Sequence, residues 1–72
     1  MRRRSAQYFL ERSAEGRWTS AGAEEACVFA SESAARRALA NVVRGGGAER
    51  AELRIRRSEW SETLVRYLEV IL

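Results

Sequence analysis

The fold of this 72-residue chain is decided by the stretch SESAARRALANVVRGGG, residues 31–47. Its small and apolar residues recur at the i, i+3, i+4, i+7 spacing of one helix face; these are Ala35, Ala38, Leu39 and Val42. Ser31 or Ser33 is suited to cap the N-terminus, where Glu32 would meet the positive end of the helix dipole. Three glycines, residues 45–47, end the pattern. The stretch predicts an amphipathic helix that needs an apolar surface to cover.

Upstream of the helix, the sequence predicts a β-hairpin. Residues 6–12 (AQYFLER) alternate, with Tyr8 and Leu10 on one face and their neighbours on the other, and aromatic residues favour pleated structure. Residues 13–16 supply a turn, because the final glycine readily takes the positive φ of a tight turn. Residues 17–20 then form the return strand of the hairpin.

The region between the hairpin and the helix contains a short apolar run. Cys27-Val28-Phe29 is compatible with either a brief strand or a buried loop. Its apolar flanks predict a buried structural thiol for Cys27 and not a reactive one. We expect Trp18, on the return strand, to cover the buried face of the hairpin.

Downstream of the helix, residues 50–57 (RAELRIRR) predict a strand with one solvated face. Ala51, Leu53 and Ile55 alternate with charged residues. A strand of this kind belongs to an antiparallel or mixed sheet whose other face is covered, here by the helix.

The last segment, residues 58–72, is compatible with two structures. A helix is indicated by an apolar stripe at helical spacing and by an i, i+4 pair of Glu62 with Arg66; the stripe consists of Trp60, Leu64, Leu68 and Ile71. A strand is indicated by β-branched and aromatic residues, which are Thr63, Val65, Tyr67, Val70 and Ile71. We favour the helix.

Together these elements predict an α+β domain. Its core would be a small antiparallel sheet in ββαβ order, with one packed central helix and a C-terminal helix. We assign residues 1–5 to a basic flexible arm and residues 6–72 to a single domain. A chain of this length buries only about 60% of its unfolded surface, so oligomerisation or docking on a partner would stabilise it.

The net charge of +3 lies entirely in the first residues. Residues 5–72 contain ten Arg and ten Glu, so the whole excess comes from Arg2, Arg3 and Arg4. Residues 36–57 are nevertheless locally basic, with seven Arg against two Glu. Overall charge is therefore weak support for nucleic-acid binding, and only a local patch can argue for it.

The residue types exclude the usual catalytic and metal sites. Without histidine there is no imidazole base and no Ser-His or Cys-His pair, and one cysteine with scattered glutamates does not form a zinc site. The glycines at residues 45–47 lack the Lys-Ser/Thr of a phosphate-binding loop. We therefore predict no enzyme, no catalytic residue, no cofactor and no metal.

The compartment is predicted from what the sequence lacks. No apolar run approaches the roughly 18 residues of a membrane span. The basic start MRRR is not followed by the apolar stretch of an export signal, and a single cysteine fits a reducing cytoplasm. We expect a cytoplasmic protein without membrane contact.

Surface residues are then the candidates for function. The residues we select as partner-binding are Arg36, Arg37, Arg50, Arg54, Arg56 and Trp60. The arginines could follow phosphates as one patch of strand and helix, although interspersed Arg and Glu are also typical of a merely solvated face, and Glu52 interrupts the row. Trp60 could be a core residue or the anchor of a protein partner.

The chain resembles small proteins of phages and mobile elements over roughly residues 7–57. The resemblance rests on the segments YFL (8–10), GRWT (16–19) and ACVFAS (26–31), followed by Ala35 on the inner face of a helix. Such proteins include compact inhibitors of host defence, among them anti-CRISPR proteins, which act in the host cytoplasm. The resemblance implies binding to a surface of a larger protein or ribonucleoprotein complex, and it carries no residue-level motif.

Three hypotheses follow for function. The first is a small non-catalytic binding module, a phage-encoded inhibitor of a host defence complex that acts by protein–protein contact. The second is a nucleic-acid-binding module that uses the arginines of the third strand and helix. The third is a structural homodimer, formed by pairing of exposed sheet edges or of the apolar C-terminal segment.

Overall fold

The computed structural model describes residues 6–21 and 27–72. These described residues form five strands, one α-helix and one 3₁₀ turn, in the order β1 (Gln7–Ala14), β2 (Arg17–Ser20), β3 (Val28–Phe29), α1 (Glu32–Arg44), the 3₁₀ turn (Arg50–Glu52), β4 (Leu53–Ser61) and β5 (Arg66–Ile71). The strands form a single sheet. The predicted α+β class is therefore confirmed. The arm predicted at residues 1–5, with Arg2, Arg3 and Arg4, lies outside the described residues.

β1 is the central strand of the sheet. One of its edges pairs with β4, and the other pairs with β3 over Tyr8 and Phe9 and with β2 from Glu11 to Ala14. β4 pairs in turn with β5, so the strand order is β2-β1-β4-β5, with β3 beside the first part of β1. All of these pairings are antiparallel. The sequence left Cys27-Val28-Phe29 open between strand and loop, and Val28 and Phe29 form a strand.

The predicted N-terminal hairpin is confirmed, with a two-residue turn. Ala14 faces Arg17 across the hairpin, and the residues between them, Glu15 and Gly16, have φ of 54° and 79°. Two positive φ values are the signature of the type I′ turn, whose twist matches that of the flanking strands.

The predicted helix is confirmed together with its caps. Ser31 has extended backbone, and its hydroxyl accepts a hydrogen bond from the backbone N–H of Ala34 at 3.2 Å. Glu32 lies in the first turn and accepts from Nε of Arg36 at 2.7 Å. Gly45 ends the helix, and its N–H donates to the carbonyl of Asn41 at 3.0 Å.

The core lies between α1 and one face of the sheet. Its buried residues are Leu10, Leu53 and Ile55 from the sheet and Ala35 and Leu39 from the helix. Leu10 and Ile55 are directly opposite across β1 and β4, so the alternation expected in both strands is confirmed. Full burial of a Leu or Ile side chain contributes roughly 1.5–3 kcal/mol, so this small cluster provides much of the apolar stabilisation.

The predicted C-terminal helix is wrong, because residues 53–71 form the β4–β5 hairpin. β5 pairs with β4 from Arg66 opposite Ser61 to Ile71 opposite Arg56. The strand-forming residues determine the structure here, since pairing satisfies the backbone of β4, which a helix would leave open. The order of elements is therefore βββαββ and not ββαβ with a second helix.

Two smaller expectations also differ from the structure. The predicted strand at residues 50–57 begins only at Leu53, because Glu49 and Glu52 cap a 3₁₀ turn at Arg50–Glu52 reciprocally. Trp18 does not cover the core face. It stays 37% exposed and lies under the guanidinium of Arg54, on the sheet face away from α1.

A search of residues 6–21 and 27–72 finds no helix with the length and apolar character of a membrane span.

Candidate protein-interaction surface

The sheet face away from α1 carries a network of charges centred on Glu11. Its carboxylate accepts hydrogen bonds from Nε of Arg54 at 2.9 Å through Oε1 and from Nε of Arg56 at 3.0 Å through Oε2. Glu11 is only 8% exposed. A carboxylate buried to this degree needs such partners, because desolvation of an unpaired charge is costly.

Aromatic rings complete the surroundings of both guanidinium groups. The carbon at the centre of the Arg54 guanidinium lies 4.5 Å from the centroid of the Trp18 ring, and that of Arg56 lies 4.4 Å from the Phe9 ring. Each contact of this kind contributes roughly 0.5–2 kcal/mol. One planar face of each guanidinium group is therefore already covered within the chain.

A second carboxylate neutralises the network. Nη1 of Arg56 donates to Oε1 of Glu69 on β5, and the hydroxyl of Ser58 lies 3.4 Å from the other oxygen. Burial alone would lower the pKa of Arg56, but hydrogen bonds and attraction from Glu11 and Glu69 outweigh it and raise that pKa. Two guanidinium groups and two carboxylates thus have a net charge of zero.

The structure does not bring the predicted arginine patch together. Arg54 and Arg56 belong to the neutral network, whereas Arg36 and Arg37 lie exposed on α1, which packs on the other side of the sheet. Arg36 is also paired with Glu32. Arg50 lies in the 3₁₀ turn, and its Nη1 donates to the carbonyl of Leu53 at 3.2 Å.

Trp60, the remaining predicted partner-binding residue, lies half-buried on β4. Its ring makes an edge-to-face contact with Tyr67 on β5, with centroids 5.0 Å apart and planes at 70°. The two rings line one side of an open cleft of about 570 Å³, and Val28 and Phe29 of β3 line the opposite side. Trp60 thus packs within the β4–β5 hairpin and is not one of the buried core residues between α1 and the sheet.

Most of the exposed large apolar side chains of the described residues lie where the sequence predicted a helix. Six of the eight exposed large apolar side chains of the described residues lie between residues 64 and 71. They are Leu64, Val65, Tyr67, Leu68, Val70 and Ile71, and the other two are Trp18 and Val28. These six lie within eight consecutive residues, and soluble monomers rarely expose large apolar surfaces without a function.

The exposed residues of β5 occupy both faces of the sheet. Tyr67 and Ile71 share the face of the charge network, since Ile71 is opposite Arg56. Leu68 and Val70 point to the face of the helix, yet each remains 40% exposed. α1 packs over β1, β3 and β4, so this part of the hairpin extends beyond the cover of the helix.

The backbone of β5 also offers an open edge. The N–H of Leu72 donates to the carbonyl of Ile55 at 2.9 Å, and inward and outward groups alternate along an antiparallel strand. The N–H and C=O groups of Tyr67, Glu69 and Ile71 therefore point away from β4. Among the described residues no strand pairs with these groups, which we call the β5 edge.

The turn of this hairpin contains a backbone conformation that its residue disfavours. Val65 has φ of 52° and is 69% exposed. β-Branched residues rarely adopt positive φ, because Cβ comes too close to the backbone. The chain thus presents an apolar side chain to solvent at a position where Asn or Gly would be more stable.

Comparison with known proteins yields no relative: no protein family, no curated protein and no solved structure matches the chain. Within the described ranges, no three or more cysteine and acidic side chains are grouped so that they could hold a metal ion.

Proposed function

We propose that this chain is a small non-catalytic module that binds another protein chain through the β4–β5 hairpin, with a strand of the partner added to the β5 edge. The observation that carries the proposal is the concentration of exposed apolar side chains between residues 64 and 71 beside an unpaired strand edge. Strand addition of this kind is a common mode of protein recognition.

The length and composition of β5 support an edge that pairs with a partner strand. Natural sheets protect free edges with proline, inward-pointing charges, bulges or very short strands. β5 has six residues and no proline, and its central charge, Glu69, is bound by Arg56. Protection of the edge is therefore slight, as expected of a strand that receives a partner.

The conformation of Val65 supports the same surface. A valine that is 69% exposed buries little apolar area to offset its positive φ, and strained residues of this kind cluster at functional sites. Its side chain extends the apolar surface of β5 at the turn. Contact with a partner accounts for an otherwise unfavourable residue.

Two terms would provide the binding free energy. Each backbone hydrogen bond to the β5 edge contributes about 0.5–1.5 kcal/mol net. Apolar area removed from water adds roughly 25 cal/mol per Å², here from side chains on both faces of the strand. Both terms depend little on ionic strength, unlike contacts with phosphates.

The experiment compares three immobilised forms of the full chain in capture of proteins from the native cell. The wild type is compared with Leu68→Lys, which places a cation opposite Glu59 and so preserves the pairing of β4 with β5. Val28→Lys is the matched control, because Val28 is equally apolar and 52% exposed but lies on β3. We expect specific capture by the wild type and the control, and its loss with Leu68→Lys. Capture of the same proteins by all three forms would contradict the proposal.

Nucleic-acid binding is a second candidate, favoured by one observation. Phe9 and Trp18 lie beside Arg56 and Arg54 on one open sheet face, where bases could stack. The carboxylates of the network offset both cations, so this candidate has weaker support. A gel shift at low salt tests it: binding that is lost in the Arg54→Glu, Arg56→Glu double variant supports it, and no shift of wild type excludes it.

The more specific role, inhibition of a host defence complex by a phage protein, stays a prediction. A hairpin that docks on a larger assembly is compatible with it.

A further inference from the structure

We infer that the chain paired with the β5 edge is a second copy of this chain, joined through antiparallel β5–β5 pairing about a two-fold axis at Glu69. The inference rests on the proposed function, since it names the partner of the same surface. Three features of β5 support it, namely its side-chain pattern, the direction of its free backbone groups and its charges.

The side chains of β5 are arranged symmetrically about Glu69. Its neighbours in sequence, Leu68 and Val70, lie on the sheet face that carries the helix. The next residues, Tyr67 and Ile71, lie on the open face together with Glu69. The run Tyr-Leu-Glu-Val-Ile therefore reads apolar, apolar, acid, apolar, apolar in both directions. An antiparallel copy centred on Glu69 places Leu68 opposite Val70 and Tyr67 opposite Ile71, so each of these four apolar side chains meets an apolar one.

The free backbone groups match the same centre. The N–H and C=O groups of Tyr67, Glu69 and Ile71 point away from β4. In this register Tyr67 faces Ile71 of the second copy and Glu69 faces Glu69, so these groups meet one another. All of them can then form hydrogen bonds. A register centred on Leu68 instead places Tyr67 opposite Glu69 and Arg66 opposite Val70, so within β5 only Leu68, opposite its own copy, keeps an apolar match.

The charges tolerate this arrangement. Two Glu69 carboxylates would face each other at the axis, and like charges directly opposite destabilise a sheet. Each carboxylate is already bound by Arg56 of its own chain, so the centre holds two carboxylates and two guanidinium groups. The pairing therefore brings no uncompensated charge to the axis.

Closed symmetry explains why one partner suffices. A two-fold contact uses the same surface on both chains and leaves no free copy of that edge, so association stops at the dimer. The two five-stranded sheets become one continuous sheet in which the β5 strands are neighbours. The axis is perpendicular to the sheet, so both charge networks lie on the same face of the combined sheet.

Sedimentation of the purified full chain over a range of concentrations tests the inference. We expect a monomer–dimer equilibrium that Leu68→Lys and Val70→Glu each weaken by about tenfold or more, which corresponds to about 1.4 kcal/mol. Leu68→Lys places a cation opposite Glu59, and Val70→Glu places a carboxylate opposite Arg57. Each substitution therefore creates a favourable charge pair between β4 and β5 of the same chain. Val28→Lys is the control and should leave the equilibrium unchanged.

A mixture of the two variants tests the register. In the proposed pairing the new Lys of one chain faces the new Glu of the other, while the wild-type Leu68 and Val70 still meet at the second position. The mixture should therefore form heterodimers more tightly than either variant forms homodimers. A dimer that neither substitution weakens, or a mixture that recovers nothing, would overturn the β5–β5 contact.

A measurement on the unaltered chain removes dependence on the variants. Amide exchange at Tyr67, Glu69 and Ile71 should slow as the protein concentration rises. A chain that stays monomeric at every concentration would overturn the inference. In that case capture of another protein that depends on Leu68 would leave the proposed function standing, whereas loss of both would end the proposed function as well.

Discussion

Glu11 and Arg56 are joined across β1 and β4 by a hydrogen bond of 3.0 Å from Nε to Oε2, on the sheet face away from the helix. The same carboxylate holds Arg54 through its other oxygen. Arg54 and Arg56, the predicted phosphate-binding arginines on this sheet face, are therefore already paired within the fold. Of the eight exposed large apolar side chains of the described residues, six lie on the neighbouring β4–β5 hairpin.

Removal of the central charge should destabilise the sheet. Glu11→Gln leaves two partly buried guanidinium groups without a shared counter-charge, and we expect the free energy of unfolding to fall by about 1–3 kcal/mol. Urea denaturation followed by tryptophan fluorescence measures it. Glu62→Gln, in the exposed β4–β5 turn, is the control and should change stability by less than about 0.5 kcal/mol. Equal effects of the two substitutions would show that the network contributes nothing.

Stability and binding should separate at Val65. Val65→Asn relieves a β-branched residue at positive φ and should raise the free energy of unfolding by about 0.5–1 kcal/mol, while it removes an apolar side chain from the proposed contact. Glu15→Asn is a matched control, since Glu15 also has positive φ in a turn but lies in the other hairpin.

Denaturation and sedimentation or capture then compare the two Asn variants. Both should be more stable than wild type, and only Val65→Asn should bind its partner more weakly. A Val65→Asn protein that is more stable and binds with undiminished affinity would remove this residue from the interface.

Ionic strength should have little effect on association through the hairpin. Backbone pairing and apolar contacts change less than about tenfold between about 50 and 200 mM salt, whereas six to ten phosphate contacts would lose about 10³–10⁵ in affinity. A salt titration of the measured complex distinguishes the two. A steep loss of affinity with salt would favour the nucleic-acid candidate.

The N-terminal hairpin and the central helix could be predicted because their signals are local. Ser31, Ala35 and Leu39 follow one helical period between a cap and glycines, and the turn ending at Gly16 is decided by φ preferences. Such patterns are complete within a dozen residues, and they require no knowledge of distant partners.

Two different reasons prevented prediction of the C-terminal hairpin and of the pairing of the arginines. Residues 60–71 carry both a helical stripe and strand-forming residues, so local pattern alone does not decide between them, and the open edge of β4 does. Arg54 and Glu11 are 43 positions apart in sequence, and only the register of β1 on β4 brings them into contact. The interaction surface depends on that same non-local arrangement.

Hydrogen exchange along β5 is the most direct test of the hairpin as a protein-binding surface. In the isolated chain the outward amides of Tyr67, Glu69 and Ile71 should exchange rapidly, while the inward amides of Leu68 and Val70 are protected by β4. In the complex, with a second copy or with a captured protein, the outward amides should become protected as well. A bound chain in which these amides exchange as fast as in the free chain would contradict the account.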